Sequence, residues 1–165
     1  MEGAASRSEL VQSVIRGDIA RVTALVASGA DVSQPDQFGW LPIHRAAAND
    51  RGEIIRVLLE KGSPLEERGT DQWTALHLAC VSGSARAVAV LVEAGADVNS
   101  VARKGNTPLH LTVTSKSREA AQTLLRAGAD RTVKDNQGRT PADVARSRGL
   151  MDLARTLEGL DGAAG

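Results

Sequence analysis

Residues 74–99 read TALHLACVSGSARAVAVLVEAGADVN. The stretch opens on Thr74, carries His77 three positions later, and ends in an apolar run closed by Gly95. Stepping outward by 33 residues reproduces the same marks. His44, His77 and His110 stand one step apart, and a further step reaches Asp143. The step links Gly29, Gly62, Gly95 and Gly128, and also Leu25, Leu58, Leu91, Leu124 and Leu157. A third register holds Gly17, Asp50, Gly83, Lys116 and Gly149, with Asp and Lys in place of Gly in two copies. Registers kept without insertion or deletion identify a repeat array, in which each unit is one supersecondary element.

Local signals define that unit. NTPLHLTV (106–113) and RTPADVAR (139–146) each place a threonine, Thr107 or Thr140, before a proline. Thr is an N-cap type, and Pro fits the first helical position because its missing N–H needs no partner there. A second helix follows, with Val88, Leu91 and Val92 at helical spacing. It stops at a glycine suited to a left-handed C-cap, in EAGAD (93–97) and RAGAD (126–130). The polar Asn/Asp/Gly stretch before the next unit predicts a projecting hairpin. One helix–turn–helix–hairpin unit cannot bury its own apolar face, so stability requires stacking.

TALHLACVSG with VLVEAGADVN, and NTPLHLTV with LLRAGAD, resemble ankyrin repeats over roughly residues 9–158. The resemblance implies an all-α solenoid with projecting β-hairpin loops, in five units: about 9–35 as N-terminal cap, 36–68, 69–101, 102–134, and 135–158 as C-terminal cap. Short flexible tails are expected at 1–8 and 159–165. The last unit carries Asp143, Arg146 and Glu158 where inner repeats place His, a small residue and an apolar one. Such polar changes suit a cap facing water. With so little sequence after the last unit, the expectation is a stand-alone array without an appended enzyme domain.

Composition narrows the function classes. Twenty basic and twenty acidic residues give a formal charge of zero, so no global field favours nucleic acid or membrane. Only three aromatics (Phe38, Trp40 and Trp73) leave the packing to Ala, Val and Leu. Cys80 is the single cysteine and cannot form an internal disulfide, which fits a reducing compartment. No apolar run approaches the roughly 20 residues of a membrane span. The N-terminus MEGAASRSEL lacks the basic and apolar regions of a secretory signal. A cytoplasmic or nuclear protein, monomeric on its own, is expected.

The candidate chemical motifs dissolve into the repeat. Histidines spaced one unit apart sit on separate units and do not converge on one atom. The resemblance implies that His44, His77 and His110 are structural, bonding near the Thr of TPLH, with Thr74, Thr107 and Thr140 in the same class. In the second unit that Thr is Leu41, so His44 must find another partner. Cys80 occupies the register of Ala47 and reads as a small buried hydrophobe. No phosphate-cradling glycine motif, paired acid and base, or metal-ligand cluster is evident, so no enzyme and no cofactor is expected.

DQFGWLPIHRAA (36–47) therefore divides in two. LPIHRAA is scaffold, whereas DQFGW lies in a hairpin. Trp40 and Trp73 share one register, which later holds Asn106 and Arg139, so the repeat does not demand an aromatic there. Ankyrin-repeat proteins typically bind partners with hairpin tips and the concave face of the inner helices. By register that implies Gln37, Phe38, Trp40, Thr70, Asp71, Trp73, Arg103, Lys104, Asn106 and Arg139, with Asn136 and Gln137 in the last tip. Trp is enriched among residues that dominate interfaces, so two Trp on adjacent repeats are expected to form one exposed stripe, the alternative being that each ring packs on its neighbouring hairpin. Residues 102–148 carry ten Lys/Arg against four Asp/Glu, while 1–101 carry nine against thirteen. Either a partner lays an apolar segment on the Trp side and acidic groups near Arg103, Lys104, Lys134 and Arg139, or these charges form a solvated face. Asn99 in LVEAGADVN resembles the hairpin Asn modified by a cellular asparagine hydroxylase.

The functional expectation is a non-catalytic protein-interaction module acting as adaptor, scaffold or inhibitor by occlusion. Two rivals are weighed. Ankyrin inhibitors of cyclin-dependent kinases are similar in length, but resemble arrays with a shortened inner helix in the second repeat, whereas the 33-residue register here is unbroken. Nucleic-acid binding through the basic 102–148 face lacks stacking aromatics at that end and a compact Lys/Arg run.

Overall fold

The computed structural model describes the backbone of residues 2–160 and the side chains of residues 9–160. Ten α-helices follow one another among the described residues: α1 Glu2–Arg16, α2 Ile19–Ala27, α3 Pro42–Ala48, α4 Gly52–Glu60, α5 Ala75–Ser82, α6 Ala85–Glu93, α7 Pro108–Ser115, α8 Arg118–Arg126, α9 Pro141–Ser147 and α10 Met151–Glu158. Helix α1 begins inside the stretch read as an N-terminal tail. At the other end the chain leaves α10 through Gly159, and residues 161–165 of the expected tail lie outside the described residues.

The helices form two rows. The inner row packs α1 on α3, α3 on α5, α5 on α7 and α7 on α9; the outer row packs α2 on α4, α4 on α6, α6 on α8 and α8 on α10. Small residues let the inner row close up: Ala46, Ala47, Ala75, Ala79, Cys80 and Ala145 are all fully buried. Leu58, Leu91, Leu124 and Leu157, one per unit, fill the space between the rows. Fully burying a Leu side chain contributes roughly 1.5–3 kcal/mol, so this ladder is a principal source of cohesion between units.

The histidine ladder is the polar counterpart. In each case Nδ1 accepts a backbone N–H at the start of its own helix: Leu41 N at 3.1 Å for His44, Thr74 N at 3.3 Å for His77, and Thr107 N at 3.2 Å for His110. His44 thus manages without a threonine hydroxyl. Its Nε2 donates to the Glu67 carbonyl at 3.1 Å, and that of His110 to the Arg139 carbonyl at 3.0 Å. The Nε2 of His77 is buried near the backbone of Asn106 and Ser100, without a well-formed hydrogen bond among the described residues. Burial lowers all three titrations, that of His77 to about 4. The imidazoles are therefore neutral, each accepting at Nδ1.

In the last unit Asp143 takes over the histidine's task, accepting from Thr140 N at 2.9 Å and Thr140 Oγ1 at 2.8 Å. Arg146 pairs with Asp143 and with Glu158, so the three polar departures of the C-terminal cap form one cluster. The Gly register of the turn between inner and outer helices keeps a positive φ even without glycine, 55° at Asp50 and 58° at Lys116. The Asp50 carboxylate compensates by accepting Ala87 N at 2.9 Å, which ties the second unit to the start of α6. Lys116 has no such return.

Candidate functional site

Between the outer helix of one unit and the inner helix of the next, the chain projects in four five-residue tips: 36–40, 69–73, 102–106 and 135–139. No described residue is in a strand; each tip is a closed turn rather than a β-ladder. The N–H of its first residue bonds the carbonyl of its fifth at 2.9–3.0 Å, as in Asp36 to Trp40 and Ala102 to Asn106. In the first and last tips an aspartate also organises the turn from within. Asp36 Oδ1 accepts Phe38 N at 2.8 Å and Trp40 N at 3.1 Å; Asp135 Oδ1 accepts Gln137 N at 2.9 Å and Arg139 N at 3.0 Å. Burial works to raise both carboxyls, but these N–H bonds and a bound arginine outweigh it and hold them below the usual range. The arginines are Arg45, 2.7 Å from Asp36 through Nε, and Arg139, 2.8 Å from Asp135 through Nη2.

Neighbouring tips are laced together. Thr70 Oγ1 donates to the Phe38 carbonyl at 3.1 Å, Arg103 N to the Asp71 carbonyl at 3.2 Å, and Asn136 N to the Lys104 carbonyl at 3.2 Å. The expected tip residues are thus brought into one continuous row. The second tip departs from the others. Asp71 and Gln72 both lie in the left-handed region, at φ 58° and 64°, where the other tips place one glycine. Arg103 reaches back to the Asp71 carboxylate at 3.3 Å.

The expectation of two exposed tryptophans is corrected here. Trp73 is half-buried and packs against the hydrophobic core. Trp40 is also half-buried: its ring lies over Gly69 of the next tip, where a Cβ would fall 2.5 Å from ring carbons, and meets His44 edge-on at 5.4 Å. For Trp40 the reason is the lacing of the tips, which brings Gly69 of the next turn under its indole. Phe38 is the outward aromatic, 62% exposed, with the Arg45 guanidinium 5.5 Å from its ring centroid. Gln37, Thr70, Asp71, Arg103 and Lys104 are exposed, whereas Asn106 and Arg139 are half-buried.

Four participants were not named from the sequence. Gly69 is the seat of Trp40, signalled only by the absence of a side chain. Arg45 shares its register with Leu78, Leu111 and Val144 and is the one charged member, a cue the repeat alignment contains. Half-buried Leu78 and Val81 sit on the third unit's inner helix. Asn99, exposed, accepts Asp130 N at 2.7 Å through Oδ1 and so latches the third unit to the fourth.

Among the described residues no group of three His, Cys, Asp or Glu side chains could hold a metal ion. Burial pushes the Cys80 thiol up, away from thiolate reactivity. Thr74, Thr107 and Thr140 bond the His or Asp of their own helices, as structural residues do.

Comparison with known proteins converges with this geometry. A family model described as ankyrin repeats (3 copies) matches residues 10–102, and one described as ankyrin repeats (many copies) matches residues 91–145. The palmitoyltransferase Hip14 of Drosophila melanogaster is 46% identical over 61 residues, covering 37% of this chain and 10% of that protein. The 2-5A-dependent ribonuclease of Mus musculus is 37% identical over 62 residues, 37% of this chain and 8% of its own length. Human protein phosphatase 1 regulatory subunit 27 is 37% identical over 62 residues, 38% of this chain and 40% of its length. The chain thus spans well under half of each of these relatives. Repeats of this kind generally mediate protein–protein interaction and are typically non-catalytic, and on the match over residues 10–102 this chain belongs to the ankyrin-repeat family.

Proposed function

We propose that this chain is a non-catalytic docking module that holds a partner protein along its tip row and the adjoining inner-helix face, and acts by occupancy as adaptor, scaffold or occluding inhibitor. The observation that carries this reading is Phe38, a large aromatic presented outward on a tip whose backbone is fixed by Asp36 and whose ring is backed by Arg45. Aromatic side chains held rigidly at the surface contribute much of the energy of interfaces. Lys104, Arg103 and Arg139 supply the basic end; Gln37, Thr70, Asp71 and Asn106 line the row between. The half-buried Trp40 and Trp73 contribute ring edges rather than whole faces. Matching to a protein named as a phosphatase regulatory subunit supports regulation through binding.

A kinase-inhibitor role draws no support from the second unit, whose inner helix Pro42–Ala48 matches α9 in length and is within one residue of α5 and α7. Nucleic-acid binding is disfavoured because the aromatics Phe38, Trp40 and Trp73 lie away from the basic 102–148 face, which offers no stacking platform. A single, buried cysteine supports the cytoplasm or nucleus as its place of action. Asn99 is a candidate for side-chain hydroxylation, and intact mass after co-expression with an asparagine hydroxylase tests it: an added oxygen is expected, and an unchanged mass removes the idea.

Affinity purification with quantitative mass spectrometry, using wild-type and Phe38→Ala chains as bait, tests the docking face. Proteins held by the wild type should be lost with Phe38→Ala and kept with Arg86→Ala on the outer-helix side. Equal retention by all three baits refutes the tip row as the docking face.

A further inference from the structure

The third and fourth tips enclose a notch of about 280 Å³ lined by Lys104, Asn106, Asp135, Asn136, Gln137 and Arg139. Its dimensions suit one side chain rather than a polymer backbone. Arg139 is held in place: Nε and Nη2 both contact Asp135 Oδ2, at 3.0 and 2.8 Å, which fixes the plane of the guanidinium. One carboxylate cannot satisfy all five N–H donors of a guanidinium, so Nη1 still has hydrogens to give. Across the notch, the exposed Lys104 ammonium has no ion-pair or hydrogen-bond partner among the described residues, while its own carbonyl is clamped by Asn136 N. Gln137 adds an exposed amide. One exposed cation, one fixed cation and nearby amides form a donor-rich recess, and the acid inside it, Asp135, already faces Arg139. Residues 102–148 as a whole carry ten basic against four acidic side chains, so an approaching acidic segment gains from the surroundings as well.

We infer that this notch seats a single aspartate or glutamate side chain of the partner protein. The inference rests on the docking face proposed above and sharpens it, because it fixes a spacing. Phe38 stands on the first tip, two to three units from the notch. With stacked helices roughly 8–10 Å apart, that separation is about 20–25 Å. An extended peptide covers it in about six to eight residues at roughly 3.3 Å each. The partner segment therefore pairs an apolar residue with an acidic one about six to eight positions away.

Selection of random dodecapeptides on the full chain tests this, run in parallel on wild type, Lys104→Glu, Lys104→Arg and Phe38→Ala, with thermal unfolding confirming that each variant is folded. The wild-type pool should enrich Asp or Glu at the stated distance from an aromatic or aliphatic residue. Synthetic peptides from that pool should bind Lys104→Glu about tenfold more weakly and Lys104→Arg almost normally, in line with loss of a complementary charge. The Lys104→Glu pool should lose its acidic preference. Peptides that weaken with Phe38→Ala but contain no acidic residue, or ignore Lys104→Glu, overturn the notch and leave the docking face standing. Peptides indifferent to both variants, or an empty wild-type pool, overturn both. A fluorescent single-stranded 20-mer DNA that binds more tightly than the peptides and depends on Lys104 overturns the carboxylate assignment in favour of phosphate.

Discussion

The first and fourth tips use one backbone frame to display opposite chemistries. In each, an aspartate at the first position accepts the N–H groups two and four residues on and grips an arginine. Yet the first tip turns Phe38 outward, whereas the fourth offers Gln137 beside Lys104. The arginines also differ in origin: Arg45 comes from the following inner helix, Arg139 from the tip itself. The frame is set by the bonds at the turn's first, third and fifth positions, and the residue at its apex is left open to selection for a partner. At the fifth position the frame is less permissive. Trp40 and Trp73 pack there, and that packing spends part of their surface on the fold.

Acidification presses on the histidines behind the first three tips and should give the largest effect. His77 titrates at about 4 in the folded chain against an ordinary value of 6.5. The unfolded chain thus takes up the proton first, and stability falls as pH drops through that window, by about 3 kcal/mol from His77 alone. His44 and His110 are lowered in the same direction and add to the loss. Asp36 and Asp135, also lowered, give up their contribution only at still lower pH. Urea unfolding at pH 7 and pH 4.5 measures the change; equal midpoints would mean the imidazoles are not held neutral by the fold.

Two substitutions at one register sharpen the contrast between the apolar and polar halves of the row. Trp73→Ala should cost about 2–3 kcal/mol, since the ring abuts the core, while Asn106→Ala should cost no more than about 0.5 kcal/mol. Equal costs would erase the distinction. Gly69→Ala should lift the Trp40 ring off its seat at about 1–2 kcal/mol, with a red shift in tryptophan emission as the indole meets water. Phe38→Ala should do the reverse of Trp73→Ala: stability within about 0.5 kcal/mol of wild type, but partner binding weaker by roughly 2 kcal/mol. A last pair of substitutions lies away from the tips. Lys116→Gly should raise stability by about 1 kcal/mol by relieving a left-handed lysine that receives no hydrogen bond in return. Asp50→Gly should gain nothing, because the Asp50 carboxylate holds Ala87 N.

The five-unit frame was legible because a stack repeats its requirements. Each outer-helix Leu, each turn glycine and each imidazole meets the same surroundings one unit further on, so a period of 33 residues marks them all. The departures were legible as departures. Leu41 in place of Thr and Asp143 in place of His stood out from the register, although their resolution needed coordinates. At Nδ1 His44 accepts a backbone N–H without a hydroxyl beside it, and Asp143 replaces an imidazole nitrogen with a carboxylate oxygen. The positions of the candidate contact residues were also readable, because hairpin tips fall at a fixed distance from TPLH. Their exposure was not, since it depends on what the neighbouring unit places against them.

The sequence by itself determined the fold, the number of units and the buried ladder, for these follow from local periodicity and apolar spacing. Only the tertiary structure decided which aromatic faces outward, that Arg45 backs Phe38, and that Lys104 and Arg139 border one notch. Those relations join residues from different units, and lateral contacts between turns leave no period in the chain.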